Sequence, residues 1–440
     1  MLVNTHKLIF SLLIFSSWNI VQAQEAWTLK QCIDTAQIHN KNLQISRNSI
    51  SFSQERVKET KANLFPKITA NSDYKYFTEL PYQLMPVSAL DPQAPKGKFR
   101  EIQFGVPHNI NANVQLAMPI YNPQLNGGKQ ISNIAVEISE LQYRKTEEQV
   151  FFEITTFFYN AQILKHQKNF LENNLVNTNK LLKNVQLLHE QLMAKGTDVN
   201  KLKLQADQLR TQIEIAKNNY EQVLNALKLN MGIALESQIE IETGIALPPT
   251  GHYQTQTSTE IQLNQIQNKL LNSELKILQQ SSYLPTINII ASYGTAGFGY
   301  DKNPNDFLKF YPVSFAGVQL SYPLFNGTVT QRKINQKKLE IKNNELQAQL
   351  IDDKTKMEIV NANRQRKTAI LTVTNTENQI KQAQTIYEQT LLQQTYGTAT
   401  LTDVLLADHE LRQSQQNYLS GIVDYLKADL ELKKITGNIN

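Results

Sequence analysis

Two hydrophobic periods alternate along this chain. Between Ile110 and Ile120 the apolar residues Ile110, Ala112, Val114, Leu116, Met118 and Ile120 interleave with Asn111, Asn113, Gln115, Ala117 and Pro119. A period of two predicts a strand with one greasy face. The pattern returns at Ala316, Val318, Leu320, Tyr322 and Leu324, set against Gly317, Gln319 and Ser321, after an aromatic, glycine-rich strand over 286–300. Elsewhere the spacing is helical, as in Ile131, Ile134, Ile138 and Leu141, or Leu181, Leu182, Val185 and Leu188. Such stripes predict helix-on-helix packing.

Proline placement separates the two regimes, because proline breaks helix interiors. Prolines crowd 66–123 and 285–323, and between these windows only Pro248 and Pro249 occur. Each window predicts a hairpin of two strands. The first has a long connection from Glu79 to about His108, the second a shorter one over 301–312. The proline-free blocks predict helices over about 129–193 and 331–394, each about 100 Å long at 1.5 Å per residue. The second is markedly polar between Asp352 and Gln384, as a helix wall with water on one face tolerates.

The windows belong to a larger duplication. Phe65-Pro66 matches Leu284-Pro285, and Val114-Gln115-Leu116 with Pro119 matches Val318-Gln319-Leu320 with Pro323. Gly196-Thr197 with Ala206-Asp207 likewise matches Gly397-Thr398 with Ala407-Asp408. The expected segments are a signal peptide (1–23), a first upper helix (24–63), hairpin one (64–125), a long helical hairpin (126–232) and an equatorial insertion (233–259). There follow a second upper helix (260–282), hairpin two (283–327), a second long helical hairpin (328–425) and a C-terminal helix end and equatorial segment (426–440). The termini and the stretch from Gly232 to Thr259 are expected to pack together.

Composition narrows the class. Hydrophobics at 41% with a mean hydropathy of −0.40 suit wide wetted surfaces better than one large core. His6 and Lys7 precede an apolar run over 8–15, and Val21-Gln22-Ala23 offers small residues for cleavage after Ala23, the layout of a secretory signal. No other run reaches roughly 18 apolar residues, so no transmembrane helix is expected. The single Cys32 lies beyond that cleavage point and excludes an intrachain disulfide and an acylated mature N-terminus. The net charge of +5 is spread without a basic block, so a nucleic-acid partner is not expected.

No chemistry-bearing constellation emerges. The histidines of the mature chain fall in separate segments without ligand spacing, so no metal site is expected. No nucleophile motif occurs, so neither catalytic residues nor a cofactor is predicted. Gly294, Gly297 and Gly299 lie among Tyr293, Phe298 and Tyr300 in a strand, without the helix that a phosphate loop needs. Thr28 and Gln31 form a capping box that directs Cys32 toward core packing. Asp198 reads as a helix N-cap.

Four strands cannot close a barrel, and a lipid-facing strand needs one, so strands must be pooled: about eight from two copies or twelve from three. Leu29-x-x-Cys32-Ile33-x-x-Ala36-x-x-x-Asn40-x-x-Leu43, Leu64-Phe65-Pro66, the duplicated hairpins and Gly397-x-x-x-x-Thr402-Asp403-Val404-x-x-Ala407 resemble the TolC-like outer-membrane efflux proteins. The resemblance implies a mainly α fold with β: four strands and long helices per chain from a tandem duplication. Three chains would form a 12-stranded outer-membrane β-barrel continued by a periplasmic α-helical barrel. It implies a passive conduit with no enzymatic activity, spanning outer-membrane lipid and projecting into the periplasm. The expected partners are a periplasmic adaptor protein and an inner-membrane transporter of RND, ABC or MFS type.

In that picture the periplasmic tips are the turns at Gly196-Thr197 and Gly397-Thr398, where glycine takes the left-handed conformation that ends a helix, and the adaptor contacts the flanking helices. Asp403 matches the first position of the family's acidic entrance constriction, while the second is Leu406. Asp403 reads either as lining, which would give cation preference, or as a first-turn carboxylate favoured by the helix dipole. Ala399 stands where some members carry a latch arginine. The rival reading is a periplasmic structural coiled coil or adaptor-like protein, which leaves the duplicated strands unexplained. Drugs, metals and proteins all remain open as cargo.

Overall fold

The computed structural model describes residues 26–89, 93, 95, 97–249 and 251–439. The signal peptide over 1–23 and its cleavage after Ala23 lie outside the described residues. Seven α-helices, one short 3-10 helix (Val87–Ala89) and six strands are described: α1 (Leu29–His39), α2 (Lys41–Ala62), β1 (Lys67–Tyr76), β2 (Tyr82–Pro86), β3 (Phe99–Gln103), β4 (His108–Tyr121), α3 (Pro123–Glu190) and α4 (Gly196–Met231) come from the first repeat. The second supplies α5 (Thr259–Tyr283), β5 (Thr286–Tyr300), β6 (Phe307–Ser321), α6 (Val329–Thr395) and α7 (Leu401–Ile435). The chain divides into two compact units. One gathers Met1–Gln44, Glu147–Thr255 and Glu358–Asn440; the other holds Ile45–Thr146 and Gln256–Met357.

The second of these units contains the sheet. Its order is β1-β4-β5-β6, every pair antiparallel, so each predicted hairpin is present and β4–β5 joins the two repeats. The first connection, from Glu79 to about His108, is not a plain loop. Instead β2 and β3 pair within it as a separate two-stranded sheet, bringing six strands rather than four. Pro123 opens α3, and Asn122 Oδ1 accepts from the amides of Gln124 at 2.9 Å and Leu125 at 3.3 Å. Proline is at home there because a first-turn N–H has no helical acceptor to lose. Helices α2 and α3 are joined by hydroxyl pairs at heptad spacing: Ser46 with Thr146 at 3.3 Å, Ser53 with Ser139 and Thr60 with Ser132, each at 2.8 Å. Steps of seven in opposite directions are what two antiparallel, gently supercoiled helices require. Gly127 lets α5 come close, since a Cβ there would lie 2.2 Å from Ile277 Cγ1.

In the other unit the expected first helix is broken. Asn40 is extended, caps α2 by accepting from the Leu43 amide at 3.0 Å, and donates through Nδ2 to the Asn230 carbonyl at 2.6 Å. Gly232 ends α4 in the left-handed region (φ 75°), and a Cβ there would meet the His39 carbonyl oxygen at 2.2 Å. Glycine is required by both the backbone angle and the contact. The capping box is present, with Thr28 Oγ1 accepting from the Gln31 amide and Gln31 Oε1 from the Thr28 amide, and Cys32 is buried.

The stretch after Gly232 has almost no regular structure, yet its backbone is tied down along its length. Trp27 exchanges backbone bonds with Glu240 and Glu242. Gln162 donates to the carbonyls of Glu242 and Gly244, and His166 to that of Thr243. Tyr425 donates to the Pro248 carbonyl at 2.6 Å, Arg366 to those of Pro249 and Gly251, and Asn438 to that of Gln254. Trp27 and Asn438, near either end of the described residues, are therefore both held against this insertion. Its anchors are long polar side chains on neighbouring helices, which satisfy backbone groups that no ladder takes up.

Candidate functional site

Register assigns every side chain of the sheet to a face. One face carries Ile68, Ala70, Ser72, Tyr74 and Tyr76 of β1 and His108, Ile110, Ala112, Val114, Leu116 and Met118 of β4. It continues through Ile287, Ile289, Ala291, Tyr293 and Thr295 of β5 to Leu308, Phe310, Ala316, Val318 and Leu320 of β6. No Asp, Glu, Lys or Arg stands on it. Much of it faces outward bare, with Tyr293 72% and Val318 69% exposed. Leaving that much apolar surface in water is unfavourable by about 25 cal/mol per Å², and alternation of this kind is the signature of a strand with lipid on one side.

The opposite face is wetter. It holds Lys67, Thr69, Asn71, Asp73 and Lys75 of β1, then Asn109, Asn111, Asn113 and Gln115 of β4, with Asn288 and Gln319 further on. The amides bridge strands, Asn111 Nδ2 donating to Asp73 Oδ2 at 3.3 Å and Asn71 Nδ2 to Asn113 Oδ1 at 3.4 Å. Toward the β5–β6 connection this face turns aromatic, with Phe298, Tyr300, Phe307 and Tyr311. Sequence reading had found the alternation of β4 and β6 but not that of β1, whose charged positions only register places beside the asparagines.

The sheet ends in two open edges. Among the described residues β1 and β6, of 10 and 15 residues, pair on one side only. A long unpaired edge beside an apolar face demands a partner strand, since nothing in a hydrocarbon layer satisfies its backbone.

The predicted turns differ from each other. The second is as expected: Gly397 is left-handed (φ 76°), its amide donates to Gln394 O at 3.0 Å, and Thr398 N donates to Gln393 O at 2.9 Å. In the first turn the same pair of bonds is made by Leu192 to His189 O and Met193 to Leu188 O, and Leu192, not Gly196, is left-handed (φ 63°). Gly196 and Thr197 open α4 instead. The Gly-Thr match between the repeats is thus one helical turn out of structural register, because Leu192 occupies the place of Gly397 and Lys195 that of Thr400. Asp198 likewise is not the N-cap. Lys195 holds that position without a side-chain bond, while Asp198 lies in the first turn with Lys201 Nζ 3.8 Å away.

Both turns flank one core. Val199 and Leu202 of α4 pack with Val404, Ala407 and Leu411 of α7, Leu181 and Val185 of α3, and Ala383 and Tyr387 of α6. Asp403 forms a capping box with Thr400: its Oδ2 accepts from the Thr400 amide at 2.8 Å and hydroxyl at 2.7 Å. These bonds, the hydroxyl's first, hold its carboxyl below the ordinary range. Asp408 is different. It is buried, its Oδ2 accepts a hydrogen bond from Gln205 Nε2 of α4 at 2.5 Å, and it faces Arg412 Nε at 3.0 Å. Burial raises its pKa, opposed chiefly by Arg412. The Asp408/Arg412 spacing of four was readable in the sequence, but its burial was not.

No described helix is long and apolar enough to cross a membrane. Residues 257–438 match the family described as outer membrane efflux protein. No curated protein sequence matches the chain. Among solved structures, the chain is similar to the outer membrane protein VceC of Vibrio cholerae at 14% identity, covering 93% of this chain and 96% of that one with a TM-score of 0.72. It is similar also to the Campylobacter jejuni CmeC outer membrane channel (16% identity, 93% and 85% covered, TM-score 0.71) and to CusC (13%, 94% and 92%, 0.73). Residues 257–438 thus match the outer membrane efflux protein family, and the fold of the chain is similar to the folds of VceC, CmeC and CusC.

Proposed function

We propose that the protein is the outer-membrane exit duct of a tripartite efflux or type I secretion assembly, a passive conduit from periplasm to exterior. The observation that carries this reading is the sheet, with one uncharged apolar face and two unpaired edges. A periplasmic coiled coil or adaptor has no use for such a surface.

Pairing β1 of one copy with β6 of the next satisfies both edges and closes the sheet. Three copies give twelve strands, within the range of known barrels, whereas one copy's four cannot close. The helical hairpins then extend into the periplasm. A periplasmic adaptor coupled to an inner-membrane transporter of RND, ABC or MFS type would dock beside the two turns, the first at Leu192-Met193 just ahead of Gly196-Thr197 at the start of α4, the second at Gly397-Thr398. Asp403, exposed and held ionised by its capping box, is a fitting entrance-lining residue.

The test is native mass spectrometry of the detergent-extracted outer-membrane fraction. Three copies per particle are expected. A soluble monomer or dimer in the periplasmic fraction would move the assignment to the coiled-coil reading.

A further inference from the structure

All four charged side chains of the main sheet lie on its polar face, and three of the four are lysines: Lys67, Lys75 and Lys309 against Asp73. Segregation of this kind is expected of any lipid-facing strand, but the sign is particular to this chain. The one carboxylate is also the one already engaged. Asp73 Oδ2 lies 3.4 Å from Lys75 Nζ and accepts from Asn111 Nδ2 at 3.3 Å. Lys67 Nζ donates only to the neutral Asn63 Oδ1, at 3.0 Å, and among the described residues neither Lys67 nor Lys309 is within ion-pair distance of a carboxylate. On β4 this face carries Asn109, Asn111, Asn113 and Gln115, which hydrate a passing solute without adding charge, and then Ala117 beside Lys67.

Resting on the duct reading above, we propose that the strand-lined stretch of the lumen favours anions, and that the cargo class this duct passes best is negatively charged solutes. The polar face must turn to the water-filled interior, because the uncharged face is the one that lipid accepts. Register sets Lys67 level with Gly317 at one end of the strands and Lys75 level with Lys309 at the other, so every copy adds one unbalanced positive charge at each end of the wall, and rings of lysine lower the barrier for anions as rings of carboxylate do for cations. Asp403 belongs to a different part of the chain, the capping box of α7. A cation preference at an Asp403 ring and an anion preference at the sheet are therefore separable by mutation.

The experiment uses the full chain in planar lipid bilayers under a potassium chloride gradient, reading the chloride-to-potassium permeability ratio from the reversal potential. With Asp403→Asn as the background, which removes the entrance carboxylate, the ratio is expected above one at about 0.1 M salt, fading toward one at about 1 M as the Debye length falls to about 3 Å. The triple substitution Lys67→Gln, Lys75→Gln and Lys309→Gln is expected to lower the ratio at least about twofold with conductance retained. Asp73→Asn, which removes the one carboxylate, is expected to raise it. Oligomer mass in detergent confirms that each variant assembles. An Asp403→Asn pore that prefers potassium, or a chloride preference that survives the triple substitution in that background, overturns the inference while leaving the duct standing. A chain that assembles but forms no pore overturns the duct reading itself.

Discussion

The Arg366 guanidinium of α6 and the Asp429 carboxylate of α7 meet at 2.7 Å, with Asp429 only 1% exposed. Around them Tyr253 Oη donates to the same carboxylate at 2.8 Å, Lys433 approaches it at 3.1 Å, and Arg366 reaches on to two carbonyls of the 249–251 segment. This pair fastens an insertion without secondary structure to two long helices. Removing Arg366 leaves the buried Asp429 with only Lys433 and Tyr253 beside it, so Arg366→Met should destabilise by up to about 3 kcal/mol. Arg366→Met with Asp429→Leu should recover much of that loss. Thermal unfolding in detergent checks both, and additive losses in the double variant would show that the pair is not coupled.

The turns give a contrast in backbone strain. Gly397→Ala should destabilise by about 1 kcal/mol, because a Cβ meets open space there and the whole penalty is the left-handed angle. Gly196→Ala should be close to neutral or slightly favourable, since its helical position has room, the nearest atom being His189 Cε1 at 3.6 Å. Leu192→Gly should stabilise by up to about 1 kcal/mol by relieving a strained non-glycine residue. Chemical denaturation midpoints of the three variants rank them, and a harmful Leu192→Gly would contradict the strain argument.

Two carboxylates five residues apart should respond to pH in opposite senses. Asp403 has a lowered folded pKa, so its contribution is complete above the ordinary value of 3.8 and is lost as pH falls through the lowered one. Asp408 has a raised folded pKa, so its contribution is complete below 3.8 and is lost as pH rises through the raised value. Melting temperature against pH should flatten on the acid side in Asp403→Asn and on the less acidic side in Asp408→Asn. Parallel curves for wild type and Asp408→Asn would remove the role given to its burial.

Cys32 is fully buried in α1, and burial pushes its thiol up to about 12. The thiolate is the reactive form, so iodoacetamide should leave the native protein unmodified at mildly alkaline pH and alkylate it promptly in denaturant. Rapid native labelling, read by intact mass, would mean that α1 opens readily.

Gly232→Ala combines a positive φ with a contact of 2.2 Å to the His39 carbonyl oxygen, and no flexible side chain is there to yield. It should lower stability by about 2 kcal/mol or more and loosen the α1–α4 junction. Faster hydrogen exchange over 36–44 is the expected signature, and unchanged exchange there would place the strain elsewhere.

What the sequence by itself determined is what its local periods encode. Alternation at 110–120 and 316–321 specified strands and their greasy faces, although the same pattern ran on to Leu324 where β6 has ended at Ser321; uninterrupted helical spacing specified α3 and α6, and Thr28 with Gln31 specified a capped helix start. Each depends on residues within a few positions of one another, so a single chain segment carries the whole signal. What the tertiary structure decided depends on partners far along the chain. The β4–β5 pairing that unites the repeats, the positive balance of the polar face and the break at Asn40 all arise where distant segments meet. The first turn shows why. A Gly-Thr match pointed to Gly196, but the buried contacts of Val199, Leu202, Val404 and Ala407 set the helix register, and the left-handed position fell on Leu192. Packing a shared core is worth several kcal/mol, whereas one strained backbone angle costs about 1–2 kcal/mol, so the core chose the turn.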